Sequence, residues 1–544
     1  MSPTAVVIGG GVAGLASAAL LARDGFAVTL LEKNAALGGR AGSWSRDGFR
    51  FDTGPSWYLM PAVFDHFYRL LGTTADGQLD LVRLDPAYRV FFAGDREPLD
   101  LRGDAASSRA AFERLEPGAG ARLDAYLASA RQAYDLAVGR FLYTTYQSLR
   151  PLLRPDVLRH LPRLLRLLLQ PLDRFVAASF RDHRLAQVLG YPAVFLGTTP
   201  DRAPSMYHLM SHLDLADGVR YPRGGFAAFV DSLASLAAGE GVRLRTGTTV
   251  TQVLTTSAPR RSRPGRDRRP ARVTGVRYRD ETGQQHVIDA DLVVGATDLH
   301  HVETQLLPAP LRTYPERWWR RRDPGPGAVL VMLGVRGALP QLQHHSLFFT
   351  RDWQANAAAV GRCGQLSGET SLYVCRPSAT DPTVAPPGTE NLFVLVPVPA
   401  DPGLGRGGLD GHGDAAVESI ADAAIAQIAS WAGIPGLADR VVVRRTVGPR
   451  DFCDDVNAWS GGALGLAHTP RQSAFLRARN VSRKVAGLYY AGHSTIPGIG
   501  LPMCLISSEI LIKAVHGDVS TEPLPEPLRR NTSAASEPPL TAVP

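Results

Sequence analysis

Glycines at positions 9, 11 and 14 stand at the first, third and sixth places of Gly9-Gly10-Gly11-Val12-Ala13-Gly14, a G-x-G-x-x-G turn. A β-branched run, Ala5 to Ile8, precedes the turn, and an Ala/Leu-rich stretch, Leu15 to Arg23, follows it. A second strand-like run, Phe26 to Leu31, ends at Glu32, with Lys33 beside it. Strand, glycine turn, helix, strand and acid in that order predict a dinucleotide site. Gly9 would permit the tight turn, Gly11 would let the backbone approach a pyrophosphate, and Gly14 would let helix and strand pack closely. The helix N-terminus would offer free N–H groups to the phosphates, and Glu32 would accept from a ribose.

The chain continues Leu37-Gly38-Gly39-Arg40-Ala41, and then Phe51-Asp52-Thr53-Gly54-Pro55-Ser56 after a hairpin signal at Asp47-Gly48. Further on come Tyr221-Pro222-Arg223-Gly224-Gly225-Phe226, a helical stretch, Gly239-Glu240-Gly241, a strand and Thr248-Thr249-Val250. Asp291-Leu292-Val293-Val294-Gly295-Ala296 leads to Asp298. Near the end stand Gly487-Leu488-Tyr489-Tyr490-Ala491-Gly492 and His493-Ser494-Thr495-Ile496-Pro497-Gly498-Ile499-Gly500-Leu501-Pro502-Met503.

Together these segments resemble the bacterial carotenoid desaturases of the phytoene desaturase type, within the flavoproteins that include amine oxidases and protoporphyrinogen oxidases. The resemblance implies FAD as cofactor. It implies Gly39 and Arg40 near the pyrophosphate, Gly54, Pro55 and Ser56 near the flavin, the Val250 backbone on the adenine, and Asp298 on the return strand. It implies the Gly492, Gly500, Leu501, Pro502 and Met503 segment as the turn and helix start facing the flavin ring. Where many members have T-H-P-G, this chain has Thr495-Ile496-Pro497-Gly498, so no imidazole is available there.

The activity so implied is desaturation of a C40 carotenoid hydrocarbon, phytoene toward lycopene in successive steps, with hydride passing to the flavin and quinone or oxygen as final acceptor. Alternatives on the same frame are a carotenoid 3,4-desaturase or isomerase, and, in a different class, a prenyl-binding escort protein without redox chemistry. No acid–base pair stands out, so no catalytic residue is assigned; Arg140, Tyr207 and His493 are the neighbours considered. A C40 hydrocarbon loses on the order of 30 kcal/mol on entering water, at roughly 0.8 kcal/mol per methylene. Such a substrate would be drawn from lipid.

The positioning elements follow from pattern. The implied fold is α/β: a Rossmann-like FAD domain of glutathione-reductase type, assembled from 1–103, 218–300 and 441–517. A mixed-sheet substrate domain would span 301–440, and a helical substrate- and membrane-associating region 104–217. Within the last, Leu158, Leu161, Leu165, Leu168 and Leu172 make an apolar stripe at helical spacing, with Arg159, Arg163 and Arg166 opposite and Pro162 marking a kink or start. That pattern fits a helix lying in a membrane interface. The Pro/Ser/Thr-rich tail, 518–544, is expected to be disordered.

Composition narrows the classes. In 544 residues, 59 Lys+Arg against 51 Asp+Glu give a net charge of +8, which suits an anionic membrane surface or nucleic acid. The arginine-rich stretch Arg260 to Arg272 lacks interleaved aromatics, so it reads as a surface insertion and no nucleic acid is expected. Four cysteines without C-x-x-C spacing, and His300, His301 and Glu303 without a converging third region, imply no metal site and no disulfide framework. No apolar run reaches the roughly 18 residues of a membrane span. With the first strand starting close to Met1, no leader is expected, and the location implied is cytoplasmic and peripheral to the membrane.

Overall fold

The structure is a computed structural model and describes residues 2–147, 155–256, 271–353, 356 and 369–529. The Ala5–Ile8 run is buried on both faces, and it lies in a parallel sheet. In chain order the elements that matter begin with β1 (Thr4–Ile8), α1 (Val12–Arg23), β2 (Ala27–Leu31), β3 (Ser43–Arg46), β4 (Phe49–Asp52), β5 (Tyr88–Phe92) and β6 (Leu99–Leu101). They continue with α2 (Ala119–Ala137), α3 (Pro155–Leu169), α4 (Gly225–Gly239), β7 (Arg243–Arg245), β8 (Thr249–Thr255), β9 (Ala271–Arg279), β10 (Gln285–Asp289) and β11 (Leu292–Gly295). The remainder are α5 (Leu299–Gln305), β12 (Gly327–Arg336), β13 (His345–Phe349), β14 (Leu372–Cys375), β15 (Thr389–Val398), α6 (Ala415–Trp431), β16 (Val441–Val447), β17 (Leu488–Tyr490) and α7 (Leu501–Val515).

The first sheet runs β17-β11-β1-β2-β7 and every pairing in it is parallel. Helix α1 is buried from Val12 to Leu21, so it has no solvent face; Ser17 reaches Ser508 on α7 at 2.9 Å. A helix apolar all round belongs inside a layered fold. The β8-β9-β10 meander lies apart from this sheet. Asp47 (φ 50°) and Gly48 (φ 81°) form the two-residue turn between β3 and β4, as both backbones must for a I′ hairpin.

The second large sheet is mixed, in the order β16-β12-β15-β14-β13-β5-β6. Its outer members correct the expected boundaries. Tyr88–Phe92 and Leu99–Leu101 were grouped with the cofactor segments, yet β5 pairs in parallel with β13; β16, grouped there too, pairs antiparallel with β12. The physical reason is cover: Tyr88, Val90, Phe91 and Phe92 are all buried and need an apolar sheet on both sides.

The described elements of 104–217 are helices, and the leucine stripe is not one helix. It ends at Leu169, and Leu172 starts a separate short helix after Pro171, with Leu172 fully buried. Leu158 lies among the residues whose side chains are not described, as do residues 148–154. The Arg260–Arg272 insertion falls almost wholly outside the described residues; Arg272 ends in β9.

The tail is also corrected in its described part. Lys513, buried at the end of α7, donates to the carbonyls of Tyr143, Ser520 (2.9 Å each) and Glu522 (2.7 Å). A buried ammonium must find such acceptors, and meeting that need folds residues 518–529 back on the body. Leu528 N–H then bonds Leu70 O at 3.0 Å, and Glu526 meets His66. Residues 530–544 lie outside the described residues.

Candidate active site

The C-terminal ends of β1 and β2 open onto a cleft of about 320 Å³ that reaches across to the second sheet. That lies within the roughly 300–1,000 Å³ typical of a small-ligand pocket. Its lining gathers segments almost 500 residues apart. Gly9, Gly11, Glu32, Lys33, Gly39, Arg40, Gly54, Pro55, Ser56, Val250, Asp298, Gly492, Gly500 and Leu501 all border it. Three of the expected residues do not. Gly14 lies beneath the turn, where a Cβ would stand 1.9 Å from Gly9 O. Pro502 and Met503 sit in the first turn of α7, behind Gly500 and Leu501. Of the three unassigned neighbours, His493 borders the cleft and Arg140 and Tyr207 do not.

Backbone groups fix the part of the cleft beside the glycine turn. Glu32 Oε2 accepts from Gly10 N–H at 2.6 Å and Oε1 accepts from Asn34 N–H at 2.8 Å, which aims the carboxylate and leaves it lone pairs to spare. Lys33 donates to Asn457 Oδ1 at 3.1 Å and to the Asp454 carbonyl; burial lowers its pKa. Helix α1 has no side-chain cap and no acid in its first turn, so its N-terminal dipole is uncompensated toward the cleft.

Arg40 and Asp298 form the polar centre. Arg40 Nε donates to Ala463 O at 3.0 Å, and Arg40 Nη2 is 3.7 Å from Asp298 Oδ2. Asp298 caps α5 by accepting His300 N–H at 3.0 Å. Burial would raise its pKa, but His493 and Arg40 outweigh it and hold the carboxyl low. His493 Nε2 stands 3.7 Å from the same carboxylate. Burial first, then the Arg40 charge, push this imidazole down to about 4, so it is neutral at pH 7. Both Arg40 Nη2 and His493 Nε2 are buried with no hydrogen-bond partner.

A second part of the lining is apolar and aromatic: Trp57, Phe195, Leu330, Tyr373, Leu395 and Ile499. Trp57 lies 5.4 Å from Phe195 and 6.3 Å from Tyr373, ring centre to ring centre. Leu330 and Leu395 are direct register partners on β12 and β15. Sequence reading missed all six. Trp57 at least follows Gly54-Pro55-Ser56 directly; the rest are ordinary strand and loop residues whose meeting only the fold creates.

His300, His301 and Glu303 do not converge. His300 pairs with Glu316 at 3.0 Å, and Glu303 accepts Tyr314 N–H at 2.8 Å and bonds Tyr490. Among the described residues, the three His, Cys or carboxylate side chains whose ligand atoms gather at one point are His344, His345 and Cys375, all buried. His345 stacks on Trp57 at 4.5 Å and bonds Tyr373, whose hydroxyl also meets Ser56 at 2.6 Å. This network stiffens the wall behind Trp57.

Residues 12–510 match the family described as flavin containing amine oxidoreductase, and the chain belongs to it. It is 39% identical to the carotenoid 3,4-desaturase of Haloarcula japonica, over 94% of this chain and 98% of that protein. It is 35% identical to the zeta-carotene-forming phytoene desaturase of Myxococcus xanthus, over 93% and 92% of the two. Among solved structures, an oxidoreductase from Methanosarcina mazei superimposes with a TM-score of 0.61 at 15% identity, covering 94% of this chain and all of that one. The fold is thus the mixed α/β flavoprotein fold, the protein is an oxidoreductase, and its cofactor is FAD.

The residues fit that cofactor. Arg40 Nη2 is an orphaned cation donor at the pyrophosphate position the resemblance implies. At Gly11 and Gly500 an added Cβ would meet no atom closer than 3.8 Å, while both glycines line the cleft; the space beside their backbones is cleft space. A phosphate, a ring edge and two unpartnered donors are complementary in charge and shape.

Proposed function

We propose that this protein desaturates a C40 carotenoid hydrocarbon, of the phytoene or a later type, using FAD. The observation that carries the reading is the apolar, aromatic part of the cleft beside the Gly54–Ser56 loop. A polyene has no polar handle, so recognition must come from length and shape in an apolar slot.

FAD, when bound, would supply the redox chemistry as a hydride acceptor. The chain's own residues bind and orient. The α1 N-terminus and Arg40 would hold the pyrophosphate; Glu32 the ribose; the Val250 backbone the adenine. The Gly54–Ser56 loop and the Gly492 turn would bracket the ring, with the uncapped N-terminus of α7 directed at it. Trp57, Phe195, Leu330 and Leu395 would exclude water and hold the hydrocarbon against that ring.

A second reading, 3,4-desaturation of an already coloured carotenoid, is favoured by the identity to the Haloarcula japonica protein and by Ile496 at the position where many phytoene desaturases carry histidine. Co-expression separates them. In a phytoene-accumulating bacterium, chromatography should show coloured products with longer chromophores. Unchanged phytoene there, with conversion in a lycopene-accumulating strain, selects the second reading. No conversion in either host would reject both.

The substrate's insolubility also supports contact with a lipid surface. No helix of the described residues is long and apolar enough to cross a membrane, so the contact would be peripheral. Leu161, Leu165 and Leu169 of α3 are 40%, 48% and 74% exposed and form one ridge at four-residue spacing. Leu167, on the opposite side, is buried.

A further inference from the structure

A second exposed apolar pair lies close to that ridge. Phe475 and Leu476 are 49% and 45% exposed and occupy the tight turn Ala474–Leu476, in which Ala474 has a positive φ of 50°. The other large exposed apolar side chains among the described residues, Val287, Leu409, Val442 and Val519, stand singly in the sequence. Isolated exposed apolar residues are ordinary; a paired aromatic and leucine held outward on a tight turn are not.

Residues 205–207 tie the turn to α3. Ser205 N–H donates to Gln170 O at 2.8 Å, and Ser205 Oγ donates to Leu167 O at 3.2 Å. Two residues on, Tyr207 donates to Ser473 Oγ at 3.1 Å, immediately before the turn. On the other side, the Phe475 ring lies 6.3 Å from that of Tyr146. The same path runs inward. His468 Nε2 accepts Ile499 N–H at 3.2 Å, which leaves Nδ1 to donate to the Tyr207 hydroxyl at 2.5 Å. Ile499 borders the cleft. The exposed turn, the C-terminal end of α3 and the apolar wall of the cleft are therefore within three hydrogen bonds of each other.

Charge surrounds the apolar groups on both elements. From Arg159 to Leu169 the sequence carries three arginines and no acid. Arg163 is engaged with Gln132 at 2.6 Å and anchors α3 on α2, while Arg159 and Arg166 stay exposed. Arg471 is exposed four residues before Phe475. Arg202 nearby is already paired with Asp323 at 2.5 Å. Apolar side chains rimmed by arginine suit the boundary of an anionic bilayer, where leucine and phenylalanine enter the acyl region and guanidinium groups meet phosphate.

We propose that the Phe475–Leu476 turn is a second lipid-inserting contact, which with the α3 ridge seats the protein on an anionic membrane over the Ile499 side of the cleft. This rests on the peripheral-membrane reading above. The test is co-sedimentation of the FAD-loaded protein with vesicles of phosphatidylglycerol and phosphatidylcholine. Phe475→Glu/Leu476→Glu is expected to weaken binding at least ten-fold while keeping its flavin absorbance near 450 nm, and Leu165→Glu should weaken it comparably. If wild type binds and the double variant binds equally, the turn is not a contact, though the peripheral reading stands. If wild type binds no vesicle, both fail. If wild type is instead a dimer that the double variant splits, the partner is a second copy and the proposal is overturned. Should the double variant lose its flavin, Phe475→Ser is used, with a loss of about three-fold expected and none overturning the assignment.

Discussion

The two large sheets of this protein solve different problems. The five-stranded sheet is all parallel, and what it presents at its strand ends is backbone: glycine turns, an uncapped helix start and a carboxylate aimed by N–H groups. The seven-stranded sheet is mixed, and what it presents is side-chain surface: Leu330, Leu395 and Tyr373, backed by His345. Holding a charged cofactor demands donors at fixed positions, which glycines expose. Holding a hydrocarbon demands only filled, dry space. The first requirement leaves motifs in a sequence; the second leaves apolar residues that look like any core.

That contrast predicts that damage to the two sheets will separate. The largest effect should come from Gly14→Ala. Its methyl group would stand 1.9 Å from Gly9 O, backbone against backbone, so the turn must move. We expect purified protein without absorbance near 450 nm and with much reduced yield. Normal flavin content would break the comparison at its cofactor end.

Leu395→Glu should do the reverse. A carboxylate in the apolar wall opposes a hydrocarbon, at a cost of several kcal/mol, and turnover in the co-expression host should fall about 100-fold with flavin content near normal. Flavin loss equal to the activity loss would show that the two sheets do not divide the work.

Arg40→Ala is the intermediate case. Hydrogen bonds to a charged group are worth about 1.5–3 kcal/mol, so FAD affinity measured by fluorescence titration should weaken roughly 10- to 100-fold. Asp298 would also lose a cation that keeps its carboxyl low.

The smallest effect concerns stability against pH, at a site outside both cleft parts. Asp214 accepts from the hydroxyls of Tyr88 (3.0 Å) and Tyr191 (2.7 Å), and burial raises its pKa to about 7. A raised folded pKa favours the neutral acid. Its stabilising share is whole below the unfolded value near 4 and is lost as pH rises through about 7. Asp214→Asn, which can accept both hydroxyls, should therefore gain on wild type in melting temperature as pH rises from 4 to 8, by about 2–4 °C. A constant difference across that range would place the charged form in the folded protein.

Much of the first sheet was legible because its features are local. The G-x-G-x-x-G turn, G-G-R and the Asp47-Gly48 hairpin each need only a few neighbouring residues with special backbone angles, so residue type betrays them. The membership of Tyr88–Phe92 and Val441–Val447 was not, since strand pairing across more than 100 residues depends on packing partners that no short window contains. Residues 518–529 misled for a related reason: their composition suits disorder, and only a buried lysine on another element fixes them in place.

By itself, then, the amino-acid order determined where the backbone must turn, which helices start at a glycine turn and which strands lie buried, because those are properties of adjacent residues. Tertiary structure alone decided that Trp57, Phe195, Leu330, Tyr373, Leu395 and Ile499 share one wall, and that Arg40 and His493 each keep a buried nitrogen unpartnered. Proximity between distant segments is set by the packing of whole sheets, and no single segment carries that information.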